Sequence, residues 1–203
     1  PAAIEQLGAE VQLLGAQDLA AADLGTFNAI VTGTRAYAVR EDLRTYNSRL
    51  LDYVKAGGNL IVLYNTPPEF APSRYAPFPG ELPRTAEEVS EEDSPVEILT
   101  PDAVVLNAPN RITKADFEGW VEQRGSKFWS TWDRAYTPML ATWDQGQPPQ
   151  KGGWLHARYG KGHYTYFAYA LHRQLPYGVS GAYRLLANLL SLHEAAARRP
   201  DSP

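Results

Sequence analysis

Three short segments carry side chains able to grip a small polar molecule: Arg35 and Tyr37 within residues 33–40, Asn65 beside Thr66, and the run His172-Arg173-Gln174. Together they offer a guanidinium, a phenol, a carboxamide and an imidazole, a set suited to a polyhydroxylated or anionic ligand. The competing use of the same groups is structural: capping strand ends and tying loops down. A second candidate is the pair Asp116 and Glu118. On a strand, residues two apart face the same way, and two carboxylates can divide acid and base work on a glycosidic bond. Otherwise they belong to a solvated edge or a loop held by Arg111 or Arg124. Trp120, close by, falls with Trp129, Trp132 and Trp143 in a stretch that also holds Arg124 and Asp133. Such indoles can fill an irregular core, form a protein interface or stack on sugar rings.

Other chemistries are excluded or disfavoured. The 203 residues contain no Cys, so disulfides, thiolate metal sites and a cysteine nucleophile are absent. The histidines at 156, 163, 172 and 193 have no metal-ligand spacing, and neither a metal nor another cofactor is expected. Gly160-Lys161-Gly162 lacks the strand-to-helix setting and following hydroxyl of a phosphate loop and reads as a hairpin turn. A net charge of −4 gives no electrostatic case for nucleic acid. No apolar run approaches the ~20 residues of a membrane span.

The elements that must position these groups follow from periodicity. Residues 2–7 suggest a short helix, 10–14 a strand, and 28–32 (NAIVT) a buried strand. Residues 41–56 predict a helix with Leu43, Tyr46, Leu50, Tyr53 and Val54 on one face and Gly57 as its stop. Residues 59–64 (NLIVLY) follow as a second buried strand, giving a βαβ unit and a parallel sheet. Residues 65–95 hold seven prolines and an acidic cluster at Glu87, Glu88, Glu91, Glu92 and Asp93, and read as a surface excursion. Further strands are predicted at 96–99, 153–159 and 163–169, the last two joined as a hairpin. Ser180 is positioned to cap a terminal helix running to His193, followed by a frayed tail over 195–203. In an open parallel sheet ligands bind at the carboxyl ends of the strands, which is where the three candidate segments fall.

The phrases GTRAY (33–37), GGNLIVLYN (57–65), DFEGWVEQRG (116–125), GGWLHARYGKGHYTY (152–166) and RQLPYGVSGAYRLLANLL (173–190) are together distinctive. Their order resembles the C-terminal glutamine-amidotransferase-like domain of bacterial LmbE/PIG-L family deacetylase proteins. The resemblance implies a flavodoxin-like α/β fold of the class I amidotransferase and ThuA-like kind, with a first strand normally preceding residue 1. It also implies a zinc deacetylase domain elsewhere in the parent protein, since the His-Pro-Asp-Asp motif of that chemistry is absent here. Where amidotransferases carry a cysteine on a tight turn, this chain reads Tyr64-Asn65-Thr66-Pro67-Pro68. His172 stands where the amidotransferase histidine would, but Gln174 occupies the place of its orienting carboxylate.

The sequence therefore predicts a single α/β domain over 1–194, with a mainly parallel sheet flanked by helices and closed by a C-terminal antiparallel hairpin. No catalytic residue is expected. Arg35, Tyr37, Asn65, His172, Arg173 and Gln174 are the ligand-binding candidates, with Asp116, Glu118 and Trp120 as a second patch. The expected role is an accessory one: holding a glycan, an amino sugar or another small molecule, or docking on an N-terminal catalytic domain. A sugar hydrolase using Asp116 and Glu118 and a purely structural or homo-oligomerising domain are the alternatives. The sequence does not fix the compartment.

Overall fold

A computed structural model of the chain describes residues 1–192. The strands are β1 (Ile30–Thr32), β2 (Asn59–Leu63), β3 (Gly80–Glu81), β4 (Glu87–Val89), β5 (Val96–Ile98), β6 (Gly125–Phe128), β7 (Thr131–Trp132), β8 (Tyr136–Pro138), β9 (Leu140–Thr142), β10 (Trp154–Tyr159) and β11 (Gly162–Phe167). The helices are α1 (Ala2–Gln6), α2 (Ala16–Ala21), α3 (Ala36–Val39), α4 (Glu41–Thr45), α5 (Asn47–Ala56), α6 (Pro72–Tyr75), α7 (Leu171–Gln174) and α8 (Ser180–Leu190).

Strand β2 is inner because its sequence allows nothing else: Leu60, Ile61 and Val62 have no exposed area, as a strand covered on both faces requires. It pairs in parallel with β1 on one side and β11 on the other. Strand β10 then runs antiparallel to β11, and β8 antiparallel to β10, giving the order β1-β2-β11-β10-β8. The expected mainly parallel sheet is thus mixed, because the hairpin joins the main sheet and brings an edge strand with it. Three two-stranded antiparallel pairs, β3–β7, β4–β6 and β5–β9, build the irregular half.

Side chains alternate across the sheet. Asn59 points towards α8, where its Nδ2 donates to Leu189 O (2.8 Å). On the other face Tyr164 and Tyr166 enter an aromatic cluster; Tyr166 packs against Phe70 and Trp129, and Tyr136 approaches Trp129 and Tyr164. Trp129 and Trp154 have no exposed area and Trp120 is buried, so these indoles are core rather than surface. The hairpin turn seats on the end of α5, with Lys161 N–H donating to Lys55 O (3.0 Å). A Cβ at Gly160, whose φ is +57°, would fall 2.4 Å from Lys55 O, so this corner admits only glycine.

Several elements differ from the sequence-based expectation. Residues 10–14 form no ladder, and Leu13 is 77% exposed. The helix expected over 41–56 breaks at Tyr46 (φ −103°, ψ 17°) into α4 and α5. Ser180 is the first residue of α8 rather than its cap, and Val179 precedes it without a side-chain capping bond. The helix end at His193 and the tail over 195–203 lie outside the described residues. Among the described residues, no helix is long and apolar enough to cross a membrane, and no group of three or more His, Cys, Asp or Glu could hold a metal ion.

The proline-rich excursion is stapled down. The Asp144 carboxylate accepts from the backbone N–H of Ser90 (2.9 Å) and Glu91 (3.0 Å) and from the hydroxyls of Ser90 (2.7 Å) and Ser94 (2.8 Å). Partial desolvation works against the ionised form, but these donors outweigh it and hold the Asp144 carboxyl below its ordinary value. Buried Arg124 adds bonds from Nε and Nη2 to Ser94 O (3.1 and 2.9 Å). Asp144→Ala should therefore lower stability by about 2 kcal/mol and expose residues 90–95 to limited proteolysis. Hydrogen exchange across that segment checks the locality of the effect.

The hairpin also carries a histidine pair that sequence spacing did not reveal. Arg158 Nη1 lies 2.9 Å from His163 Nε2, and His163 Nδ1 lies 3.0 Å from His156 Nε2. Arginine only donates, so His163 accepts at Nε2 and donates from Nδ1 to His156. Desolvation, helped by the Arg158 charge, pushes His156 down from 6.5 to about 4. The unfolded chain therefore binds a proton at this position more readily than the folded one. The stabilisation is complete above pH 6.5 and is lost as pH falls towards 4. Chemical denaturation across that window should show a loss of at most about 3 kcal/mol that His156→Gln removes.

Candidate functional site

Strands β1, β2 and β11 end together, and the three polar segments read from the sequence meet beyond them. Arg35 N–H donates to Tyr64 O (2.8 Å), Tyr37 N–H donates to Asn65 Oδ1 (3.0 Å), and the His172 ring stacks on Tyr64 with centroids 5.8 Å apart and planes 14° from parallel. The carboxyl edge of the parallel strands is therefore one continuous surface, as the binding rule for open α/β sheets requires.

The candidates there divide into rim and framework. Arg35 and His172 are exposed and Tyr64 is half-buried. Tyr37, Asn65 and Gln174 have no exposed area and do not reach a ligand, contrary to expectation. The Tyr37 hydroxyl donates to Asn47 Oδ1 (2.7 Å), and burial raises its pKa well above the ordinary value. Asn65 Nδ2 donates to Leu63 O (2.7 Å). Gln174 forms a two-way clamp, accepting from Val121 N–H (2.8 Å) and donating to Val121 O (2.9 Å). These groups are amide-like or phenolic, so a covered loop can absorb all of their hydrogen-bonding capacity. Arg173 is ion-paired with Glu122, while its Nε is enclosed without a partner. Partial burial pushes the His172 imidazole below its ordinary pKa, and no carboxylate pairs with it among the described residues.

The second patch does not form an acid–base pair. Residues Lys114–Phe117 make a 3-10 turn instead of a strand, so Asp116 is buried while Glu118 is exposed. Asp116 accepts from Thr113 N–H (2.8 Å) and is ion-paired with Arg184 (Nε to Oδ1, 2.7 Å). Trp120 is buried against Phe117 and donates from Nε1 to Asp116 O (3.0 Å). These contacts lock the 3-10 turn and α8 together; at Gly181 a Cβ would lie 1.8 Å from Asp116 O.

Sequence reasoning missed three residues of the carboxyl edge: Tyr64, Glu122 and Lys127. The Tyr166 hydroxyl, 3.5 Å from Asn65 N, donates to Lys127 O (2.7 Å), which sets Lys127 beside the end of β2. Arg35 (φ +57°), Glu122 (φ +67°) and Lys127 (φ +65°) are the non-glycine residues with left-handed backbone among the described residues. All three belong to this edge or to the loop clamped on it. Such a backbone costs a non-glycine residue about 1 kcal/mol or more, and strain of this kind gathers at functional sites. No composition or periodicity signal reports it, since Lys127 reads as an ordinary strand residue.

Two cavities bear on the site. One of about 380 Å³ is lined by Glu41, Arg44, Glu69, Arg74 and Tyr75, and Arg44 donates to Tyr37 O, placing it beside the β1–α3 turn. A cavity of about 420 Å³ lies at the opposite, amino end of β1 and β2, lined by Asn28, Arg49, Asp52, Tyr53, Gly57 and Gly58 among others. Two of its polar groups hold the fold, Arg49 donating to Ala22 O (2.7 Å) and Tyr53 to Phe27 O (3.0 Å), while Asn28 and Asp52 form no side-chain hydrogen bond or ion pair among the described residues. The carboxyl edge retains more uncommitted polar groups and is the stronger candidate.

These features define a mixed α/β domain with a polar carboxyl edge. No family model matches the chain, and no curated protein matches it. Solved structures do share its fold. A cytoplasmic protein, STM1381, from Salmonella typhimurium LT2 superposes with a TM-score of 0.60 at 13% identity, covering 94% of this chain and 84% of that one. A second Salmonella typhimurium cytoplasmic protein, STM3548, gives 0.58 at 14% identity with the same coverage. A β-galactosidase from Rahnella sp. R3 gives 0.57 at 16% identity, covering 94% of this chain but 26% of that one. At these identities the likeness is one of fold.

The left-handed turn provides a direct test of the edge. Arg35→Gly should fold with stability within about 1 kcal/mol of the parent or above it, since glycine adopts this backbone freely. Arg35→Val should cost about 2 kcal/mol, lowering the melting temperature by several degrees in a calorimetric scan.

Proposed function

We propose that this chain is a non-catalytic accessory domain, a flavodoxin-like module of the class I glutamine amidotransferase and ThuA-like kind. In this reading it serves a larger bacterial protein resembling LmbE/PIG-L deacetylases. Its carboxyl edge holds a glycan or amino-sugar-type ligand or the catalytic domain itself. The observation that carries the reading is the Asn65 carboxamide. At the turn where an amidotransferase presents its thiol, Asn65 is buried and bonded to Tyr37 N–H and Leu63 O. A carboxamide is no nucleophile, and the Thr66 hydroxyl beside it is hydrogen-bonded to no base among the described residues. His172 faces Tyr64 instead of a carboxylate, so the relay that would activate a nucleophile is missing.

The likeness to part of a much longer β-galactosidase favours a second reading, in which the fold serves assembly or scaffolding within a larger chain. The sugar-hydrolase alternative loses its support because Asp116 is committed to Arg184.

Incubated with glutamine, the domain should release no ammonia. Asn65→Ala should cost about 3 kcal/mol of stability by orphaning Tyr37 N–H and Leu63 O, with no activity to lose. A thermal-shift screen against acetylated sugars, amino sugars and acidic sugars should give stabilisation that Arg35→Gly abolishes. Ammonia release would overturn the non-catalytic reading. A dimer in sedimentation that masks the carboxyl edge, with no ligand response, would favour the scaffolding one.

A further inference from the structure

We propose that the carboxyl edge selects an anionic ligand, a small sugar or acid bearing a carboxylate, sulfate or phosphate, bound by Arg35 and Lys127 beside the Tyr64–His172 stack. This rests on the reading of that edge as a binding site and narrows its ligand class.

Every other left-handed position among the described residues is glycine, yet at 35, 122 and 127 a charged side chain is retained where glycine would be cheaper. Glu122 has an internal use, its ion pair with Arg173. Arg35 and Lys127 have none: neither side chain forms a hydrogen bond or ion pair among the described residues. Their charged groups make no polar contribution to the fold that holds them and are left to solvent or to a ligand.

Charge then fixes the class. The chain carries a net charge of −4, but the edge runs the other way. Glu122 is ion-paired with Arg173, and the adjoining cleft is lined by two carboxylates, Glu41 and Glu69, and two guanidiniums, Arg44 and Arg74. Arg35 and Lys127 carry no ion pair among the described residues, with Glu87 and Glu88 standing on the strand paired with that of Lys127. A protonated amino sugar meets these two cations as a like charge, whereas an oxyanion accepts paired N–H bonds from the planar guanidinium and a point contact from the ammonium. The flat faces of His172 and Tyr64, nearly parallel, give a platform for the C–H side of a ring. A free amino sugar, one of the ligands considered above, is therefore the wrong sign.

The test is an NMR titration of the labelled chain at low salt with four probes: glucuronate, glucose 6-phosphate, glucose and glucosamine. The two anions should shift His172 and Arg35 resonances, and whichever binds tighter identifies carboxylate or phosphate as the preferred group. Glucose and glucosamine should bind at least about tenfold more weakly, and 0.5 M NaCl should weaken the anions by a similar factor. Arg35→Gly and Lys127→Gly should each raise Kd about tenfold with unchanged circular dichroism, because both keep a left-handed backbone accessible. Glucose or glucosamine binding at His172 as tightly as the anions would overturn the anion assignment and leave the binding edge standing. No response at the edge to any probe, or anion shifts confined to the Arg49 cavity, would overturn both.

Discussion

The carboxamide of Asn65 sets the geometry on which the rest depends. It sits at the end of the innermost strand, completely covered, and satisfies one donor of the β1–α3 turn and one acceptor of its own strand. Buried backbone groups must find partners, and here a single side chain supplies both bonds without a charge to desolvate. Because of it, Arg35 lies against Tyr64, and Tyr64 is fixed as a platform for His172. In the amidotransferase-like reading proposed above, the same residue stands where that family's nucleophile would be, and its carboxamide is already committed to two backbone groups.

Around that point, the molecule solves a harder problem than its sheet. Residues 65–128 include long stretches without repetitive structure, rich in proline, and could not be stable by backbone pairing alone. Side chains make up the difference. Asp144 gathers four donors of the acidic segment, Arg124 reaches carbonyls from inside, and Gln174 clamps Val121 in both directions. The fully buried indoles of Trp129 and Trp154 fill the space beneath, and the Trp154 N–H finds no hydrogen-bond partner among the described residues, an indication of how far apolar filling takes precedence there. The result is an irregular half docked firmly enough to bring Glu122 and Lys127 to the sheet edge.

How much of this was legible beforehand varies with the range of the interaction. The runs NAIVT and NLIVLY are apolar enough to announce buried strands, and the hairpin announced itself by Gly160-Lys161-Gly162 between two aromatic-rich runs. The break at Tyr46 was not legible, because residues 41–56 keep a helical apolar period across it. Residues 10–14 alternate like a strand, but pairing needs a neighbour, and local pattern is silent on neighbours. In the site, the location was readable from the rule that ligands sit beyond strand ends. Which of Tyr37, Asn65 and Gln174 would be consumed internally was not, since an amide in a loop looks the same whether it faces solvent or a buried carbonyl.

The amino-acid sequence by itself determined the inner strands, the hairpin, the lack of thiol chemistry and the three segments that would converge, because hydrophobic periodicity, turn chemistry and residue type are local properties. Only the tertiary structure decided that the sheet is mixed, that Asp116 is tied to Arg184, and that Arg35 and Lys127, without an ion pair among the described residues, stand on strained backbone at one edge. Those outcomes turn on contacts between residues as much as a hundred positions apart, such as Asn65 with Tyr166. Such contacts depend on which surfaces the packed elements bring together, and no short window of sequence contains them.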